Sequence, residues 1–188
     1  WITGTGFSIA TQGGELDMAF NANASGANPG NAGIDFDNAT LSSGGGDVLM
    51  YGGSDPLAGR ASSGSTGISL VGVGIDTTGG NVLLLGDSTG TGTGGVNAGI
   101  FLSGTDIDAG DGDIRVDGTG AGTASGVLAL NSSIGTTLGQ LSITGLASGS
   151  GDGVRLEGTG VSTDGGDLSI DGIGGAYGVY ASYYAGLQ

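Results

Sequence analysis

The amino-acid sequence predicts an all-β fold: a parallel β-helix with three short strands per coil, six full coils and a partial seventh. Three observations lead there. Glycine supplies 47 of the 188 residues. Aliphatic residues recur in alternating pairs, the pattern of short strands with one buried face. One phrase also returns six times: an aliphatic residue, a small residue two places on, a glycine turn, and a polar residue six places after the aliphatic one.

From coil two onward the first strand follows a glycine, at Gly33, Gly67, Gly99, Gly126, Gly153 and Gly178. Its inward pairs are Ile34/Phe36, Ile68/Leu70, Ile100/Leu102, Val127/Ala129, Val154/Leu156 and Val179/Ala181, with Ile2/Gly4 opening coil one. The middle strand carries the aliphatic of the phrase: Ile9, Leu41, Ile75, Ile107, Ile134, Val161. Two residues later stands a small one (Thr11, Ser43, Thr77, Ala109, Thr136, Thr163), as expected where a corner leaves little room. Glycines at these corners permit positive φ. The polar column reads Glu15, Asp47, Asn81, Asp113, Gln140, Asp167. Immediately after it come the third-strand pairs Leu16/Met18, Val48/Met50, Val82/Leu84, Ile114/Val116, Leu141/Ile143 and Leu168/Ile170.

Two of the three connections keep one length; only the third varies, making coils of 32, 34, 32, 27, 27 and 25 residues. The whole chain, 1–188, is therefore one solenoid domain with repeats beginning near 1, 33, 67, 99, 126, 153 and 178. Insertions fall at one corner, near 20–32, 52–66 and 86–98, where they leave the stacking register undisturbed. Parallel strands about 4.8 Å apart make six coils roughly 30 Å long. A collagen helix is excluded by two prolines and the absence of a triplet register. Disorder is excluded by the fixed placement of Val, Ile and Leu, and no helical apolar period survives this glycine content.

The run Val154-x-Leu156, Val161-x-Thr163, Gly165-Gly166-Asp167-Leu168-x-Ile170 resembles the Gly-rich β-helix repeats of filamentous-haemagglutinin-like exoproteins and giant bacterial surface adhesins. The resemblance covers essentially the whole chain. It implies a right-handed helix, export to the bacterial cell surface or beyond, and adhesive or matrix roles. The Asn28–Pro29 stretch does not match the secretion domain of those exoproteins, so no secretion route is carried over.

Composition narrows the function classes. Eighteen acidic residues stand against three arginines, Arg60, Arg115 and Arg155, giving a net charge of −15 with no histidine. Nucleic acid and anionic lipid both require basic surface, so neither is an expected partner. No run approaches the roughly 18 apolar residues of a membrane helix, and membrane insertion is not expected. Without cysteine there is no disulfide framework or thiolate metal site. The chain starts at Trp1 rather than Met, as a processed chain or a fragment would.

Chemistry is sparse. A β-helix lyase needs a base beside calcium-binding carboxylates, and the three arginines fall on different coils and are not expected to converge. Asp106/Asp108 and Asp35/Asp37 are conceivable glycosidase pairs, but solvated acidic residues on outward positions explain them as well. No enzyme is expected. The polar column reads as turn caps whose side-chain oxygens accept backbone N–H groups. Its alternative reading is a calcium site, with Asp111 and Asp113 the candidate ligands. Thr89, Thr91 and Thr93 have an ice-binding spacing but lie in an insertion. The sequons at Asn23, Asn38 and Asn131 are numerically what chance gives a chain rich in Asn, Ser and Thr.

Partners are expected on outward apolar positions and at the ends. Leu49, Tyr51, Leu83 and Leu85 point outward on the third strand, where a long insertion folding back as a cover competes with a subunit contact. On the first strand Val71, Phe101, Leu128, Leu130 and Tyr180 suit a lateral interface, with Arg155 placed to pack on the Tyr180 ring. Trp1 at one end and Tyr177, Tyr180, Tyr183 and Tyr184 at the other suit junctions. The expected partners are copies of the chain stacked end to end or side by side, the remainder of a longer solenoid, or host or matrix glycans.

Overall fold

The computed structural model describes residues 1–22, 33–90 and 96–182. Among these residues there is no helix: twenty strands stack, all in parallel, into three sheets of a β-solenoid of about six turns. The first sheet has seven strands, from Ile2–Thr5 to Val179–Ser182; the second has six, from Ser8–Ala10 to Gly160–Thr163. The third runs from Met18–Ala22 to Leu168–Ile173, with the short strand Ala61–Ser63 added on Val82–Ser88.

Register places like residues over like. In the first sheet Ile34 pairs with Ile68, Ile68 with Ile100, Ile100 with Val127 and Val127 with Val154. Leu41, Ile75, Ile107, Ile134 and Val161 form the single inward column of the second sheet. These columns and their third-sheet counterparts form one continuous core. Burying each such side chain contributes about 1.5–3 kcal/mol. At the coil-one end Gly4 leaves a gap that the Phe7 ring fills. Phe7 and Phe20 then meet Phe36 edge to face, with centroids 4.9 and 5.1 Å away.

Each corner has its own cause. After every first-sheet strand of coils one to six one residue turns left-handed: Gly6, Asn38, Gly72, Gly104, Asn131 and Gly158, with φ between 48° and 62°. Asparagine is the residue that best shares such a column with glycine. The next position faces inward and changes from Phe7, Ala39 and Val73 to Thr105, Ser132 and Thr159. These hydroxyls bond backbone groups of their own or the adjoining coil, for example Thr105 Oγ1 to the Leu70 carbonyl at 2.9 Å.

At the second corner the small column has a polar task beyond fitting the space. The hydroxyls of Thr11, Ser43 and Thr77 donate to the carbonyls of Gly14, Gly46 and Gly80. Gly46, Gly80, Gly112, Gly139 and Gly166 stack here without positive φ. A Cβ on any of them would overlap backbone of the preceding coil, so close approach rather than φ requires glycine.

The third corner differs from the sequence expectation. Gly86–Ser88 and Ala61–Ser63, assigned to the insertions at 86–98 and 52–66, belong to the third sheet. Its strands in coils three to five, Val82–Ser88, Ile114–Gly120 and Leu141–Ala147, are each seven residues long. Gly86, Gly118, Gly145 and Gly172 lie mid-strand, where a Cβ would overlap the carbonyl oxygens of Gly99, Gly126, Gly153 and Gly178. The third sheet thus crosses the start of the first at backbone contact, which is why a glycine stands at the start of each first strand from coil two onward. Phe20–Ala22, assigned to the insertion at 20–32, likewise lies in the strand Met18–Ala22. The parts of the insertions at 23–32 and 91–95, with Asn23, Thr91 and Thr93, lie outside the described residues.

Coil one carries a second correction. Met18 and Phe20, not Leu16 and Met18, pair with Val48 and Met50. The chain uses two more residues at the second corner, with Gly13 and Gly14 both at positive φ and Leu16 exposed.

Candidate functional surfaces

The polar column is a hydrogen-bonded ladder. Asp17 Oδ1 accepts the Asp47 N–H at 2.9 Å, Asp47 Oδ1 that of Asn81 at 2.8 Å, Asn81 Oδ1 that of Asp113 at 2.9 Å, and Asp113 Oδ1 that of Gln140 at 2.7 Å. Asp17 occupies the place assigned to Glu15, a consequence of the two-residue bulge. Of the calcium candidates, Asp113 has one carboxylate oxygen committed to this ladder, and Asp111 stands exposed at the preceding turn. No group of three or more acidic, His or Cys side chains suited to a metal occurs among the described residues.

The carboxylate pairs sit on strand faces. Asp106 and Asp108 flank inward Ile107 on the second sheet, beside a polar depression of 260 Å³ shared with Ser133, Ser162 and Asp164. Asp108 Oδ1 accepts the Gly110 N–H at 2.8 Å, and Asp76 one coil earlier bonds both the N–H and the hydroxyl of Thr78. These carboxylates cap turns; at Thr78 the cap holds a non-glycine residue at φ 56°. Asp35 and Asp37 lie half-buried on the first sheet, where Asp37 Oδ1 accepts from Asn38 Nδ2 at 2.7 Å.

Two arginines converge, contrary to the sequence expectation. Arg60 Nη2 lies 2.8 Å from Asp117 Oδ1, and Arg115 Nη2 lies 3.0 Å from Asp117 Oδ2. Arg60 Nη1 also donates to the Asp117 carbonyl oxygen at 2.7 Å. Arg115 and Asp117 are two apart on one outward strand face, a signal the sequence contained. Arg60 could have been placed by reading Ala61-Ser62-Ser63 as the counterpart of Gly86-Asp87-Ser88. The third arginine forms its own group: Arg155 bonds Glu157, lies 3.4 Å from Asp152 Oδ2, and stands 5.1 Å from the centroid of Tyr180, its register neighbour. Hydrogen bonding to Glu157 first, then the charges of Glu157 and Asp152, hold the guanidinium above its ordinary pKa, against the opposing effect of desolvation.

The outward apolar residues divide into two sets. Leu83 and Leu85, assigned to an interface, are buried within the chain itself, at 8% and 1% exposure, although neither belongs to the core. Arg60, from the insertion, crosses their strand at Leu85 to reach Asp117, the register partner of Leu85. Leu49 and Tyr51 remain half-buried. On the first sheet Phe101 pairs with Leu128, and Leu130 stands one position along the same face as Leu128; both leucines, Phe101, Val71 and Tyr180 are half-buried. Trp1 and Tyr177 are exposed, and Tyr183 and Tyr184 lie outside the described residues. The sequence reading passed over Leu146 and Ile173, exposed outward neighbours on the third sheet.

No family model, curated protein or solved structure matches this chain. The functional reading therefore rests on the geometry above.

Proposed function

We propose that the chain is a non-enzymatic extracellular structural protein, a β-solenoid segment of a bacterial surface adhesin or self-assembling filament. The observation that carries this reading is the continuity of the three parallel ladders. Each coil offers the next the same strand register and the same inward columns. Such a stack extends by addition of coils, from the same chain or from another copy, without any change of local rule.

Three further observations support it. At the ends of the described stack, Ile2–Thr5 and Ser8–Ala10 on one side and Val179–Ser182 on the other each have only one strand partner. The outward residues of these three strands, Thr3, Thr5, Ser8, Ala10, Tyr180 and Ser182, are uncharged, whereas guarded edges carry charge; the end strand Leu168–Ile173 carries one outward charge, Asp171. Asp108, Asp113 and Asp117 are engaged as cap, ladder and ion pair respectively.

Negative-stain microscopy of the purified chain tests the reading. Fibres are expected for a filament subunit and rods roughly 30 Å long for a solenoid segment. Globular or irregular particles, or breakdown of any member of a panel of acidic polysaccharides, would overturn it.

A further inference from the structure

We propose that residues 53–60 form a strap that opens as a unit of its own, and that the Arg60–Asp117 ion pair is its latch. The strap leaves the third sheet after Gly52 and returns at Ala61, where the ladder on Val82–Ser88 resumes. Its base is closed by the Gly52 N–H bonding the Gly59 carbonyl at 3.4 Å. Between these points it is held by its own turn: Asp55 accepts the Gly59 N–H at 2.7 Å and, through Oδ1, the Leu57 N–H at 2.9 Å. Ser54–Ala58 are exposed, Leu57 at 65%. A segment with its own hydrogen bonds and little buried apolar surface opens at lower free energy than the body it rests on.

Two attachments tie the strap to the body. Asn21 Nδ2 donates to the Gly53 carbonyl at 2.8 Å, near the exit. Near the return, Arg60 reaches over the Leu85 strand to the Asp117 carboxylate and carbonyl and approaches the Gly86 carbonyl at 3.4 Å. Leu85 pairs with Asp117 on one flank, and Gly86 pairs with Ala61 on the other. The guanidinium therefore passes over Leu85. Opening the latch bares Leu85, which stands two residues from Leu83 on the same outward strand face. The device is a lid over a latent apolar surface, and it stands whether or not the proposed function does.

Trypsin reads the latch directly, because the chain has no lysine and only three arginines. Arg115 and Arg155 sit within paired strands, so local opening of the strap exposes the bond after Arg60 alone. In Asp117→Asn, cleavage after Arg60 is expected to rise about tenfold or more, tracking the population of the open form. Arg115 and Arg155 should stay uncut, and fluorescence of a hydrophobic dye should increase. In Arg115→Gln, which leaves the latch in place, cutting after Arg60 should match the unsubstituted chain. Unchanged cleavage in Asp117→Asn, or an equal rise in Arg115→Gln, overturns the proposal. If Asp117→Asn is cut at all three sites together, Arg60→Lys decides. It keeps a cleavable cation but loses the two-nitrogen grip on Asp117. A rise confined to the bond after residue 60 supports the latch, and no rise there overturns it.

Discussion

Arg60 and Asp117, 57 residues apart, are joined at 2.8 Å across the strand that carries Leu85, and they convert an outward leucine into a buried one. On alternation alone Leu85 and Leu146 are equivalent, both outward on the third sheet. Their exposures are 1% and 44%. Leu85→Ala is therefore expected to cost about 2–5 kcal/mol, as a core truncation does. Leu146→Ala should stay within about 0.5 kcal/mol. Urea unfolding of the two variants makes the comparison, and equal losses would mean that Leu85 is not covered.

The mid-strand glycines of the third sheet make a second contrast. A Cβ on Gly118 would overlap the Gly126 carbonyl oxygen, and backbone cannot move aside as a side chain can. At Gly74 nothing lies within 4 Å of an added Cβ and φ is not positive. Gly118→Ala is expected to destabilise by at least about 1–3 kcal/mol, through overpacking. Gly74→Ala should be neutral or stabilising by up to about 1 kcal/mol, because it narrows the unfolded ensemble. Thermal unfolding followed by circular dichroism separates the two.

From coil two onward the solenoid was legible because its signals are local and repeated. The inward pairs, the phrase around Leu41 to Asp47 and its later copies each restate one register, and the ladders follow it. Coil one misled because Leu16/Met18 and Met18/Phe20 alternate equally well. The choice between them is made by where Asp17 must stand to meet the Asp47 N–H, a contact between coils. The third corner was read as insertion because Gly-Asp-Ser and Gly-Thr-Gly carry no aliphatic residue. They are strand nonetheless: the crossing backbone leaves no room for a side chain at Gly86 and Gly118, and the next column accepts Asp87, Thr119 or Leu146. The Arg60–Asp117 latch joins residues distant in sequence through an irregular segment, and strand periodicity is silent there.

The first-corner column gives asparagine a backbone role. Asn131 sits at φ 48° between Gly104 and Gly158 in the stack. Asn131→Gly should be neutral or stabilising, since glycine holds this place in most coils. Asn131→Ala should cost about 1–2 kcal/mol, the usual penalty of a side chain in the left-handed region. Asn38, at φ 52°, should behave alike. Differential scanning calorimetry of the four variants checks this, and equal melting of the Gly and Ala forms would refute the backbone role.

The bulge in coil one can be tested at two acidic residues two places apart. Asp17 Oδ1 accepts the Asp47 N–H at 2.9 Å, and so opens the ladder that continues through Asn81 and Asp113. Glu15 is exposed, at the place the regular phrase would make the cap. Asp17→Ala leaves the Asp47 amide without its partner and is expected to cost about 0.5–1.5 kcal/mol, with faster hydrogen exchange at Asp47. Glu15→Ala should alter neither measurement. If Glu15 proved the costly position, coil one would follow the same register as the other five, and the pairing of Met18 with Val48 would be wrong.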